Sequence, residues 1–125
     1  MAFPRTVAAA LACTLASSLA LADARTDSRM IKLATDSGCT TCHSIEPGKP
    51  GPEGLKPIGP AWTDVARQYR GKPTASQFLT RVVLEGTSPY ASHWKDQVSG
   101  LAMPPNAVAV SEGNVRQLIG WILAL

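Results

Sequence analysis

Trp62, Val65, Ala66 and Tyr69 fall at positions i, i+3, i+4 and i+7, with Arg67, Gln68 and Arg70 off that line. This is the pattern of a helix with one buried stripe and one wet face. Gly59-Pro60 precedes it and Gly71-Lys72-Pro73 stops it. A second stripe of Phe78, Leu79, Val82 and Val83 predicts a helix opened by a Thr74–Gln77 capping box and ended at Gly86. The third comprises Val115, Leu118, Ile119, Ile122 and Leu125, with Trp121 beside it and Ser111 as N-cap. Gly113 and Gly120 weaken this helix, so it must depend on packing. A weaker pattern over 27–37 gives a first helix with Thr26 as N-cap, Gly38 as stop, and Ile31, Leu33 and Ala34 as its buried face.

Between these helices lie two long loops. Residues 44–59 contain Pro47, Pro50, Pro52 and Pro57 together with Gly48, Gly51, Gly54 and Gly59, a composition that opposes regular structure. Residues 87–110 contain Pro89, Pro104 and Pro105. Loops of this length are unusual in a small domain unless they pack on something besides each other. Four short helices make an all-α core that is marginal by itself, at ~3–5 kcal/mol for this size. The pattern therefore calls for a ligand inside.

Composition and charge narrow the setting. The chain has 125 residues, 45% apolar and 17% charged, as expected of one globular domain. Its first 22 residues read as a cleavable signal peptide: Arg5, an apolar run over 7–21, and the small-x-small site Ala20-Leu21-Ala22. The run is too short and too rich in Ala for a membrane span of ~20 residues. Cys13 lacks the upstream Leu of a lipoprotein site and is read as part of the leader. Cleavage leaves a domain of residues 23–125 with 11 basic and 9 acidic side chains, no run of like charge that would suggest nucleic acid, and no membrane span. The expected compartment is the periplasm, where two cysteines allow one disulfide but not a disulfide scaffold.

Those cysteines stand in Cys39-Thr40-Thr41-Cys42-His43, a C-x-x-C-H motif directly after a predicted helix. Two thiols at this spacing can add to the two vinyl groups of haem, and the adjacent imidazole can bind its iron. Three other readings are weaker. A thioredoxin-like pair needs a strand before it, a zinc site needs a fourth ligand for which only His93 is available, and a plain disulfide leaves His43 without a role. A second axial ligand would come from Met103, His93 or Met30. Met103 is favoured because Pro104 and Pro105 restrict its backbone, whereas His93 lies in a polar stretch and Met30 in the helix leading into the motif.

With these residues in view, the chain resembles the mono-haem class I cytochromes c, in particular the small soluble bacterial carriers. The resemblance is carried by Gly38-Cys39-Thr40-Thr41-Cys42-His43, Gly59-Pro60-Ala61-Trp62-Thr63-Asp64-Val65-Ala66, Met103-Pro104-Pro105-Asn106-Ala107-Val108 and Gly120-Trp121-Ile122-Leu123, in that order. It implies the class I fold, with the first and last helices crossing, the middle two and the long loops wrapped around one covalent haem c, and His43 and Met103 as axial ligands. It further implies that the Pro60 carbonyl accepts the other ring N–H of His43, that Asn106 steadies the methionine loop, that Trp94 lies near a haem propionate, and that Trp121 belongs to the helix crossing. The 44–59 loop is longer than in the shortest relatives, and its Lys49 and Lys56 are candidates to rim the haem edge.

The expected function is one-electron transfer in the periplasm, between a dehydrogenase or quinol oxidoreductase and a reductase or oxidase. The protein would act as a monomer or as a subunit of a redox complex, and would not be an enzyme. The contrasting reading is a haem sensor with a labile or missing sixth ligand.

Overall fold

The computed structural model describes residues 23–125; the expected leader 1–22, its cleavage site and Cys13 lie outside the described residues. Among the described residues there are four α-helices and no strand: α1 over 23–36, α2 Trp62–Tyr69, α3 Ala75–Glu85 and α4 Glu112–Ala124. Two short 3-10 turns, Cys39–Thr41 and Pro52–Gly54, interrupt the loops, the second inside a stretch whose composition had suggested no regular structure. None of the described helices is long and apolar enough to cross a membrane.

α4 packs against both α2 and α3. Its buried face is Val115, Leu118, Ile119 and Ile122, as the periodicity predicts, with Trp121 also buried. Leu125 falls beyond the helix and stays partly exposed, because the stripe outlasts the element. The Ser111 hydroxyl accepts the Asn114 amide at 3.3 Å, so the expected cap is present. Trp121 Nε1–H donates to Asp27 of α1 at 2.8 Å, joining residues 94 positions apart where the first and last helices meet.

Three local expectations need correction. α1 is already helical at residue 23, so Thr26 lies within it and cannot serve as the N-cap, which requires non-helical backbone. The buried positions of α1 are Met30 and Ala34, with Leu33 partly buried, while Ile31 is 37% exposed. Met30, Leu33 and Ala34 share one stripe at i, i+3 and i+4, and Ile31 is rotated off it. The Thr74 hydroxyl makes no capping bond: its backbone sits at φ −94°, ψ 2°, away from the extended conformation that aims an N-cap side chain at the next amides.

α2 has no side-chain cap either, since Ala61 stands at that position. Its first amides are instead satisfied by the chain that leaves the cysteine motif: Trp62 N–H donates to the Ser44 carbonyl at 2.9 Å and Thr63 N–H to Ile45 at 3.1 Å. The proline-rich loop is thereby closed at its neck. Its far end is fastened to the second loop, where Ser99 N–H donates to Pro57 at 2.9 Å and Gly100 N–H to Ile58 at 3.0 Å. Lys56, read from the sequence as a rim charge, donates to the Asp96 carbonyl and so bridges the same two loops.

Candidate functional site

The helices and loops enclose a cavity of about 270 Å³. Much of the hydrophobic core forms its wall: Trp62, Tyr69, Leu79, Val115, Leu118, Ile119 and Ile122 belong to both. Cys39, Cys42, His43, Pro60, His93, Trp94, Met103 and Asn106 also line it, whereas Met30, Lys49 and Lys56 do not. Met30 is 2% exposed and packs in the core cluster.

The cysteine motif is shaped by the end of α1. Gly38 takes φ +76°, a left-handed conformation that favours glycine, and turns the chain from α1 into the 3-10 turn Cys39–Thr41. The Cys39 carbonyl then accepts from the amides of Cys42 at 3.2 Å and His43 at 3.1 Å. Both thiols are half-buried and not joined to each other. Burial pushes the Cys39 thiol above its ordinary range; a bond with its own backbone opposes the rise and the neighbouring Cys42 adds to it.

His43 is held from several directions. Its Nδ1 lies 2.8 Å from the Pro60 carbonyl. A carbonyl only accepts, so Nδ1 carries the proton and Nε2 keeps its lone pair. The ring stacks on Trp62, with centroids 6.1 Å apart and planes inclined by 18°. Trp62 in turn meets Trp121 edge-on at 5.5 Å. On its other flank the ring abuts Gly59, where a Cβ would stand 2.7 Å from Cε1 and 2.9 Å from Nδ1. Burial lowers the affinity of the imidazole for a second proton, against a smaller opposing effect of the Pro60 bond. Burial thus favours the neutral ring, the form in which an imidazole binds a metal.

The Met103 side is built differently. Met103 N–H donates to the Thr87 hydroxyl at 2.8 Å, and Thr87 N–H donates to the Met103 carbonyl at 2.9 Å. Asn106 donates its backbone N–H to the Val83 carbonyl at 3.0 Å and its side-chain amide to Val83 at 3.3 Å and Pro104 at 2.6 Å. The methionine loop is therefore tied to the C-terminal end of α3. Gly86 permits the approach: it adopts φ +83°, and a Cβ there would lie 2.8 Å from the Met103 carbonyl oxygen.

His93 lines the same cavity, but its Nδ1 shares a hydrogen bond of 3.0 Å with the Tyr69 hydroxyl, and the two rings stack at 6.0 Å. Burial raises the Tyr69 hydroxyl above its usual range. Trp94 is half-buried on the wall. Among the described residues no group of three or more His, Cys, Asp or Glu side chains is arranged to hold a metal ion by itself. The Trp62 stack, the Thr87 strap and the Tyr69–His93 pair were not read from the sequence. Only the first left a signal there, in the closeness of Trp62 to Gly59-Pro60.

No family model matches the chain. It is 38% identical over 93 residues to cytochrome c-551 of Allochromatium vinosum, covering 74% of this chain and 82% of that one. It is 32% identical over 94 residues to cytochrome c-552 of Hydrogenobacter thermophilus, covering 75% and 79%. The fold matches the crystal structure of wild-type Nitrosomonas europaea cytochrome c552 with a TM-score of 0.59 at 33% identity, covering 76% of this chain and 98% of that one. The chain belongs to the class I cytochromes c.

As a cytochrome c it is a small haem-bearing electron carrier with one covalently attached haem c. The residues fit that group. The cavity presents two separate thiols at the required spacing, a neutral imidazole with its other nitrogen already committed, a thioether, and a largely apolar wall suited to a flat macrocycle.

Proposed function

We propose that the protein is a periplasmic one-electron carrier with His–Met ligation, in which residues 1–22 direct export and 23–125 form the haem domain. Cys39 and Cys42 form the two thioethers, His43 supplies the proximal nitrogen and Met103 the distal sulfur. Pro60 fixes the tautomer and orientation of His43, Asn106 steadies the Met103 loop, and Trp94, half-buried on the cavity lining, would stand near a propionate of the haem. The observation that carries the reading is the presence of His43 and Met103 in the lining of one cavity together with both thiols, the imidazole already oriented by Pro60.

The bound haem supplies a single one-electron couple, and His–Met ligation sets its potential above that of a bis-histidine site. The protein's part is to hold both ligands, keep water from the ring and leave no open coordination position, so the role is carriage rather than catalysis. The partners are redox proteins: a donating dehydrogenase or quinol oxidoreductase and an accepting reductase or oxidase.

His93 in the lining of the same cavity supports a competing bis-histidine arrangement, and paired variants separate the two. The ferric protein should show the weak long-wavelength sulfur-to-iron band, lost in Met103→Ala and kept in His93→Ala. Met103→Ala should also bind carbon monoxide in the ferrous state, which the native protein should resist. The reverse pattern would refute methionine ligation.

A further inference from the structure

We propose that Thr87 is a positioning residue for Met103: its hydroxyl, by accepting the Met103 amide proton, sets the angle at which the thioether enters the cavity. This rests on the reading of Met103 as the distal ligand.

The argument begins with what the segment lacks. Pro104 and Pro105 have no N–H, so within 103–105 the amide of Met103 is the one backbone donor by which the chain can be held. That donor goes to the Thr87 hydroxyl at 2.8 Å, and the Met103 carbonyl accepts from Thr87 N–H at 2.9 Å. Both polar backbone groups of Met103 therefore end on one residue. The next donor, Asn106 N–H, returns to α3 at Val83, 3.0 Å away. Between these two pins the prolines fix φ near −65°, and the residue before a proline is itself restricted in ψ. Of the two backbone rotations of Met103, ψ is restricted by Pro104 and φ is governed by the amide that Thr87 holds.

The thioether cannot supply this control itself. It has no donor and is only a weak acceptor, so it offers no strong hydrogen bond of the kind by which Pro60 orients His43. Its position is inherited from the backbone. Gly86 serves the same end, because a Cβ there would meet Met103, Pro104 and Pro105 backbone atoms within 3.1 Å and would hold the strap off. Thr87 and Met103 both face the cavity, so the strap acts directly beneath the sulfur-bearing residue.

The test uses the haem-loaded protein and three variants. Thr87→Val keeps the shape and the backbone bond to Met103 but removes the hydroxyl, Thr87→Ser restores it, and Met103→Ala removes the ligand. Imidazole is titrated into the ferric protein, the sulfur-to-iron band is recorded, and global stability is measured with denaturant. Thr87→Val should raise the affinity for imidazole about five-fold, the equivalent of one net hydrogen bond, and should shift or weaken the band. Thr87→Ser should return both to native values. A Thr87→Val protein of lower global stability but native imidazole affinity and band would overturn the proposal, because it would give Thr87 a merely structural role. Equal behaviour of Thr87→Ser and Thr87→Val would also overturn it. If Met103→Ala itself left the band and the affinity unchanged, the ligand assignment would fall, and the proposal with it.

Discussion

His43 and Met103 line the same cavity, yet the fold secures them by opposite means. The imidazole is gripped as a side chain: Pro60 takes its Nδ1 proton, Trp62 covers one face and Gly59 lets the backbone press against its edge. That grip continues through Trp62 and Trp121 to Asp27, so the ring is anchored in the crossing of the first and last helices. Met103 is gripped as backbone, by Thr87 on both polar groups and through Asn106 by Val83 at the end of α3. The difference follows from chemistry. An imidazole offers a second polar atom to hold, whereas a thioether offers none, so its placement must come from the chain that carries it. The His43 side should therefore respond to changes that touch the ring, and the Met103 side to changes that move the loop.

The largest effect should come from removing what both sides enclose. In a Cys39→Ala, Cys42→Ala double variant the exported protein should lack haem by intact mass, and circular dichroism should show a large loss of helicity. Seven core residues also line the cavity, so the core is completed by what it surrounds, and a ligand bound only by the folded state stabilises that state. Native helicity without haem would show that the polypeptide core suffices alone, and the contrast between the two sides would then be independent of the ligand.

Next in size is Gly86→Ala, which should cost about 3 kcal/mol in denaturant unfolding. At φ +83° and ψ −174° an alanine is strained, and its Cβ meets backbone atoms of 103–105 that have little room to yield. Because the disturbance reaches Met103 and not His43, it should also weaken the sulfur-to-iron band. Gly59→Ala should be milder, about 1–2 kcal/mol, because Gly59 does not have the positive φ of Gly86, although its Cβ would press on the His43 ring and lie 3.1 Å from the Cys42 carbonyl oxygen. Its signature should be proximal: faster exchange of the His43 ring proton with solvent, measured by NMR, with the sulfur-to-iron band retained. If both substitutions gave the same spectroscopic change, the two sides would not be separately anchored.

How much of this was legible depended on whether a feature is local. The cysteine motif, the stripes of α2, α3 and α4, the stops at Gly71 and Gly86 and the Ser111 cap are short-range patterns, and all appear in the structure. The cap of α2 was not legible, because it is provided by carbonyls of Ser44 and Ile45 across a loop rather than by a side chain beside it. Thr74 misled because a residue type suited to capping does not fix its own backbone, and its ψ of 2° turns the hydroxyl away from the role. Asp27 has no local mark of its role, because its carboxylate is used by Trp121, 94 positions on. In the site, Pro60 and Met103 stand in recognisable strings, whereas Thr87 has no mark beyond following a helix stop.

The smallest effect should be that of Asn106→Ala, and its size separates the two parts of the distal anchor. The substitution removes the side-chain amide, and with it the bonds to Val83 at 3.3 Å and Pro104 at 2.6 Å. It leaves the backbone N–H of residue 106, which reaches the same Val83 carbonyl at 3.0 Å, so that acceptor stays satisfied. The Pro104 carbonyl loses its partner, but Pro104 is exposed and water can replace the amide. The net cost should therefore be that of a single hydrogen bond, about 0.5–1 kcal/mol in denaturant unfolding, with little change in the sulfur-to-iron band. A loss of several kcal/mol, or a band as weak as in Gly86→Ala, would mean that the distal loop is held chiefly by the Asn106 side chain. The distinction drawn between an imidazole held by its ring and a thioether held by its backbone would then fail at Met103.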